Sequence, residues 1–328
     1  MKLSSLERLP SFALLGPGFA AGRFVLLTEL SEGATPPALV YAPFETPART
    51  ARVFAAGGWE PLQVEFDVAA ATPAVVLRAD GYQDAVERIR EAIAAGDVYQ
   101  VCYTVHADLD PVPAAALFAR LCARGLPRFA AWVRLPDGEE FVSASPELFF
   151  TVDGRTVRSE PMKGTAAPDA AAALAASAKD RAELAMITDL VRNDLASVCR
   201  PRSVRVECER LELDIGYAHQ AVSDVRGELP DGATALDVLA ALHPGGSVTG
   251  APKQAALRMI REMEPGPRGA YCGTLGLWGA ERSVFSLLIR TAARSAAGWV
   301  YGVGSGIVYD SDPERELAEL RVKLGILG

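Results

Sequence analysis

The chain has 328 residues and a formal charge of −8 at pH 7, with 50% hydrophobic and 23% charged residues. That length and apolar content allow a large core, in one big domain or two modest ones. The acidic balance excludes a nucleic-acid groove, which needs a basic face, and with only His106, His219 and His243 a His-rich metal site is excluded too.

The first residues, MKLSSLERLPSFALLGPG, have charges, Pro and Gly inside a short apolar run, unlike a signal peptide. Nothing approaches the roughly 18 apolar residues of a membrane span. Cys102, Cys122, Cys199, Cys208 and Cys272 show no CxxC or metal-ligand spacing and read as reduced thiols. The expectation is a cytoplasmic protein without a membrane or nucleic-acid partner. Residues 1–75 read as short strands and turns, such as RFVLLTEL and PALVYAPF, forming an N-terminal strand-rich region packed on a core of residues 76–328.

Next comes the helix YQDAVERIREAIAAG, with Val86, Ile89 and Ile93 on one face and Gly96 closing it. GDVYQVCYTVHADL alternates and is β-branched, hence a strand. EEFVSASPELFFTVDGRTVRSE reads as two strands joined through Asp153-Gly154, a hairpin signal. The longest helix runs from near Asp169 to about Val198, with Leu184, Ile187, Val191 and Leu195 as its apolar stripe. HPGGSVTGAPKQAALRMIREME is a Gly-rich turn feeding a helix, with Pro252 suited to the first helical position. SVFSLLIRTAARSAAGWVYGVGSGIVYD forms another hairpin, and DPERELAELRVKLG a closing helix with Asp312 as N-cap and Pro313 at N1. Hairpins alternating with single helices favour an α+β domain with antiparallel sheets over a doubly wound parallel one.

Several residues invite a chemical reading. Only five lysines occur among 33 basic residues, and one, Lys163, stands among small and turn-forming residues in SEPMKGTAAP. Arg stays protonated in a protein, whereas a desolvated Lys can become a neutral nucleophile; a solvated loop Lys is the plainer account. Asp180 and Glu183 are three apart on the long helix, and Glu316 and Glu319 repeat that spacing on the last helix, followed by Lys323. Two such faces can clamp a hard cation such as Mg²⁺, or can make ordinary surface ion pairs. GGSVTGAPK offers backbone amides at a helix start, and GVGSGIV a glycine-permitted close approach, though neither is a Walker loop or dinucleotide fingerprint. Arg290 lies in the apolar run SLLIRTA, where it needs an ion-pair partner or a ligand carboxylate. Glu147 in SASPELFF, if withdrawn from water, can donate a proton near neutrality; a solvated edge-strand Glu is the alternative.

Taken jointly, GDVYQV, SASPELF, PMKGT, AELAMITDLVRNDL, GGSVTGAPK, RGAYCGTLG, IRTA and GVGSGIVYDSDPEREL resemble, in order, the chorismate-utilising enzymes over residues 80–326. The resemblance implies a single large domain of stacked antiparallel sheets with outer helices, like the anthranilate synthase large subunit. It also implies Mg²⁺ held by Glu183, Glu316 and Glu319, with Asp180 where relatives more often have Glu. By motif position Glu147 is similar to the general acid for the C4 hydroxyl. Thr165, Tyr271, Arg290, Gly304, Ser305, Gly306 and Lys323 fall where relatives hold the substrate carboxylates, with Thr249 and Gly250 in the adjoining turn. Where relatives often carry a His three residues before a Ser, this chain has Gln220, with His219 one position earlier; either could orient the departing hydroxyl.

Two positions mark the branch. Water-using isochorismate and salicylate synthases carry Lys at the position of Gln100, and Gln is no general base. Anthranilate synthases resemble the chain at Gln100 but have Ala at the position of Lys163. A Lys there resembles the aminodeoxychorismate synthases of para-aminobenzoate and folate biosynthesis. The resemblance thus implies Mg-dependent amination of chorismate at C4 through a Lys163 adduct at C2. The ammonia is expected from a separate glutamine amidotransferase subunit. Anthranilate synthesis is the alternative, and a non-catalytic regulatory subunit a further one, disfavoured by the intact acidic set.

Overall fold

Successive residues of the strand Phe12–Ala20 enter two different apolar layers: Phe12 and Leu14 join one core, Ala13 and Leu15 another. The same split recurs in Phe129–Arg134, where Ala130 and Trp132 face the first layer and Phe129, Ala131 and Val133 the second. A strand buried on both faces reads as a continuous apolar run rather than an alternating one. The second layer is therefore the filling between stacked sheets, and the first lies where helices cover them. The computed structural model describes residues 1–166, 177–214 and 219–328.

The pairings among the named strands are all antiparallel. Gln100–Leu109 is flanked by Val75–Arg78 and by Gly298–Ile307, which hairpins back to Thr291–Ser295. The sheet continues through Glu140–Ser145 and Phe129–Arg134 to the N-terminal strands Phe12–Ala20, Arg23–Glu32, Arg52–Leu62 and Ala38–Ala42. It then passes to Thr274–Trp278, Arg282–Leu287, Leu148–Asp153 and Thr156–Ser159, and ends on His219–Glu228 and Arg205–Asp214. The N-terminal strands are thus woven between partners from the middle and the end of the chain. The whole is one large α+β domain of stacked antiparallel strands with helices outside.

Among the described residues six helices border the strands: α1 (Tyr82–Ala95), α2 (Ala114–Cys122), α3 (Ala178–Ala196), α4 (Ala235–Leu242), α5 (Lys253–Met263) and α6 (Pro313–Leu324). Gly96 ends α1 in the left-handed region at φ +84°, a conformation that costs glycine least. Asp312 caps α6 by accepting from the Arg315 amide at 2.9 Å, with Pro313 at N1 as expected. The long helix α3 begins at Ala178, where Ser177 accepts from the Asp180 amide at 3.2 Å; its expected start near Asp169 lies outside the described residues. Pro252 stands one position earlier than expected, as the extended N-cap of α5. Among the described residues no helix is long and apolar enough to cross a membrane.

Two local differences from the sequence reading matter for the site. The run 140–159 makes three strands, not two: the Asp153-Gly154 hairpin forms, but Pro146-Glu147 breaks the chain before it. Pro cannot donate to a ladder, so Glu147 is released from strand pairing. Likewise, Arg290 is not inside a strand. It sits at φ +53° between Arg282–Leu287 and Thr291–Ser295, so the expected hairpin is preceded by a sharp turn.

Candidate active site

Lys163 lies on the short strand Met162–Ala166, opposite Ala221, with Gly164 at φ +79° making a bulge before Thr165 pairs with Gln220. Leu184 of α3 packs on Ala221, which brings the neighbouring Glu183 alongside: its Oε2 is 3.9 Å from Lys163 Nζ. Gly306 closes the group. A Cβ there would stand 2.2 Å from Gln100 Nε2 and 3.2 Å from Lys163 Nζ, so only glycine lets the amide and amine lie against that strand. The Thr165 side chain lies outside the described residues.

Glu147, freed by the break at Pro146, is 5% exposed. Burial pushes its pKa up to about 7, against the opposing effects of a hydrogen bond from Ser247 and the positive charge of Lys163. Ser247 Oγ donates to Glu147 Oε1 at 2.8 Å from the one-turn helix Gly246–Val248. A carboxyl that is half protonated near neutrality, in the field of a lysine, suits general acid work.

The turn after Ser247 is fixed to the Gln100 strand. Thr249 Oγ1 donates to the Gly245 carbonyl at 2.9 Å, and the Thr249 carbonyl accepts from the Cys102 amide at 2.8 Å. Gly250, at φ +141°, passes so close that a Cβ would lie 2.1 Å from the Gln100 carbonyl. Gln100 is 1% exposed, as is Gln220, and Oε1 of each is buried with no hydrogen-bond partner among the described residues. Buried orphan acceptors are rare and call for a donor. His219, by contrast, is half-buried at the start of its strand.

A second cluster lies along the same Gly298–Ile307 strand. Ser305 Oγ is 2.7 Å from the buried Tyr82 hydroxyl, and Lys323 Nζ donates to the Gly304 carbonyl at 2.7 Å. Tyr271 lays its ring on Gly302, where a Cβ would meet the ring at 2.0 Å. On α6, Glu319 pairs with Lys323 at 2.7 Å and the buried Glu316 accepts from Ser311 at 2.7 Å. Burial pushes the Tyr82 hydroxyl's pKa up, with smaller contributions from the Glu316 and Glu319 charges. Asp180 stands half-buried in the first turn of α3.

The candidate metal ligands offer carboxylate oxygens, the donor chemistry that suits Mg²⁺. Among the described residues, however, no three His, Cys, Asp or Glu side chains are gathered to hold an ion. Glu183 belongs to the Lys163 group, and Glu316 and Glu319 to the α6 group. Sequence reasoning also missed Ser247 and Tyr82. The first is a hydroxyl inside the Gly-rich turn already singled out; the second, opening α1, carries no local signal.

A family profile described as chorismate binding enzyme matches residues 49–327. The chain is 36% identical over 252 residues to aminodeoxychorismate synthase component 1 of Bacillus subtilis, covering 73% of this chain and 53% of that protein. It is 38% identical over 251 residues to an anthranilate synthase component 1 of Haloarcula marismortui, covering 73% and 51%. It therefore spans about half the length of these curated relatives. Among solved structures, anthranilate synthase component I of Streptococcus pneumoniae superposes with TM-score 0.79 at 20% identity, covering 97% of this chain and 90% of that one. The menaquinone-specific isochorismate synthase of Escherichia coli superposes with TM-score 0.80 at 20% identity, covering 99% and 90%. At that identity the likeness establishes the fold alone.

Proposed function

Because this chain belongs to the chorismate binding enzyme family, we propose that it aminates chorismate at C4, giving 4-amino-4-deoxychorismate and water. One observation carries the choice of branch: Lys163 Nζ lies 3.9 Å from Glu183, against Gly306 and the Gln100 amide, and its charge reaches Glu147. Overall identity to aminodeoxychorismate and anthranilate synthases is similar and does not separate them. The lysine does.

The reaction runs in two balanced steps. Lys163, as the free amine, forms a C–N bond at C2 while both double bonds of the ring diene shift and the C4–O bond breaks. Glu147 gives its proton to the departing hydroxyl, which leaves as water, and the ammonium formed on Lys163 yields a proton in return. Ammonia then bonds to C4, both double bonds shift back, and the C2–N bond breaks as the new C4 ammonium yields a proton to the departing amine, restoring the free lysine. Arg at 163 would stay protonated and could not add. Gln220 Oε1 and Gln100 Oε1 are the acceptors for the hydroxyl and the incoming ammonia, which would satisfy both orphans. His219 is the second candidate for orienting the hydroxyl.

Mg²⁺, held by Glu183, Glu316 and Glu319 with Asp180 through water, would neutralise a substrate carboxylate and polarise the leaving group. Thr165, Tyr271, Arg290, Ser305, Lys323 and the Gly304–Gly306 backbone would hold the two carboxylates, with Thr249 and Gly250 shaping the wall. A glutamine amidotransferase subunit would supply the ammonia. Product analysis with chorismate, ammonium and Mg²⁺ tests the reading. Accumulation of a non-fluorescent amino acid that retains its enolpyruvyl group supports it, and release of pyruvate with fluorescent anthranilate overturns it.

A further inference from the structure

A cavity of about 490 Å³ opens beside α5, with Phe44, Pro47, Pro244, Leu257, Ile260 and Pro267 in its walls and Lys163 not among its lining residues. Sites for small organic ligands span roughly 300–1,000 Å³, so the volume is ligand-sized. The walls are flat and apolar: a phenyl ring and three pyrrolidine rings beside the buried Leu257 and Ile260.

The polar groups lining the cavity are mostly committed. His243 Nδ1 lies 2.9 Å from Thr274 Oγ1 and Nε2 3.1 Å from the Pro43 carbonyl, and burial pushes its pKa down to about 4. Glu45 accepts from the backbone amides of Arg268 at 2.6 Å and Gly269 at 3.1 Å. Glu264 Oε1 accepts from the Thr104 amide at 2.8 Å, the Thr104 hydroxyl at 3.0 Å and Arg268 Nη2 at 2.7 Å. Arg261 is different: it is exposed at the cavity and pairs with no carboxylate among the described residues. An apolar slot with one available guanidinium complements a ring-sized hydrophobic acid.

We infer that this cavity is a second ligand site, taking a small monocyclic aromatic carboxylate with its acid group on Arg261, and that its occupancy is felt at the lysine site. The connection is direct. Glu264 in the cavity wall grips Arg268, and both side chains are almost fully buried. Arg268 Nη1 donates to the Val248 carbonyl at 2.6 Å and Nη2 to the Cys102 carbonyl at 2.7 Å. Val248 follows Ser247, the hydrogen-bond donor to Glu147, and Cys102 pairs with Gly306 in the sheet. Close-packed interiors transmit strain, so a ligand that displaces α5 also displaces the partner of the acid. The inference stands on the cavity and holds whichever reaction of chorismate the lysine site performs.

The test titrates benzoate and 4-aminobenzoate into the full chain by calorimetry, with benzamide as the uncharged control. Both acids are expected to bind saturably and one-to-one, with saturating chorismate present or absent, and benzamide about tenfold more weakly. Arg261→Ala is expected to weaken the acids about tenfold, and Thr46→Trp, in the cavity lining, to remove binding. Both variants should keep the wild-type melting temperature and chorismate turnover without added acid. Saturating acid should change kcat in the wild type and in neither variant. Absence of saturable binding at millimolar acid, equal affinity for benzamide, or displacement by chorismate would each overturn the inference. So would variants that bind like the wild type, or a liganded enzyme with unchanged kcat.

Discussion

Replacing Glu147 by Gln isolates the acid. The amide keeps an oxygen to accept from Ser247 but cannot titrate. In the folded wild type the Glu147 pKa is raised from 4.5 to about 7 by burial. The folded state therefore holds a proton that the unfolded chain gives up between about pH 4.5 and 7. Stability from this group falls as pH rises through that window. At 1.36 kcal/mol per pH unit the full difference is about 3 kcal/mol. Urea unfolding at pH 5 and at pH 8, wild type against Glu147→Gln, measures it. The variant should gain up to about 3 kcal/mol on the wild type between the two pH values. It should also lose about 10²–10⁴-fold in kcat, the range for a positioned proton donor. Stability curves that run parallel across that range would refute a buried, raised carboxyl at this position.

Lys163→Ala and Lys163→Arg should both fold, by unchanged circular dichroism and melting, and both should lose amination by about 10³-fold or more. Gly306→Ala drives a Cβ into the flexible ends of Gln100 and Lys163; stability should change by no more than about 1 kcal/mol, while kcat falls about tenfold or more through misplaced groups. Arg268→Ala leaves the buried Glu264 carboxylate without its ion pair and should destabilise by about 3–5 kcal/mol in denaturant titration. Chelation of divalent ions should abolish turnover, restored by Mg²⁺; undiminished activity in chelator would contradict the metal assignment.

Features set within a few residues were legible in the sequence. Asp312 and Pro313 at the start of α6, Gly96 at the end of α1 and the Asp153-Gly154 hairpin all rest on local backbone chemistry and formed as expected. What was not legible depends on partners distant in the chain. Nothing in RFVLLTEL announces that the N-terminal strands are threaded between Phe129–Arg134 and Thr274–Trp278. The spacing of Glu264 and Arg268 is that of an ordinary exposed helix pair, yet they form a buried link from the α5 cavity to Cys102 and Val248. The candidate site divides in the same way. Lys163 and Glu147 stood out by composition and by a neighbouring Pro, whereas Ser247 and Tyr82 acquire meaning only once the turn and strand they touch are folded against them. The sequence also suggested acidic faces on two helices, and the fold sets Glu183 by Lys163 and Glu319 by Lys323, each lysine lying against the Gly298–Ile307 strand.

The most direct test of the account is the intact mass of the protein held with chorismate and Mg²⁺ in the absence of ammonia. A species heavier by one chorismate less one water, mapped to Lys163 and discharged by added ammonium, is the predicted result. Full amination by Lys163→Ala, with no such species in the wild type, would contradict it.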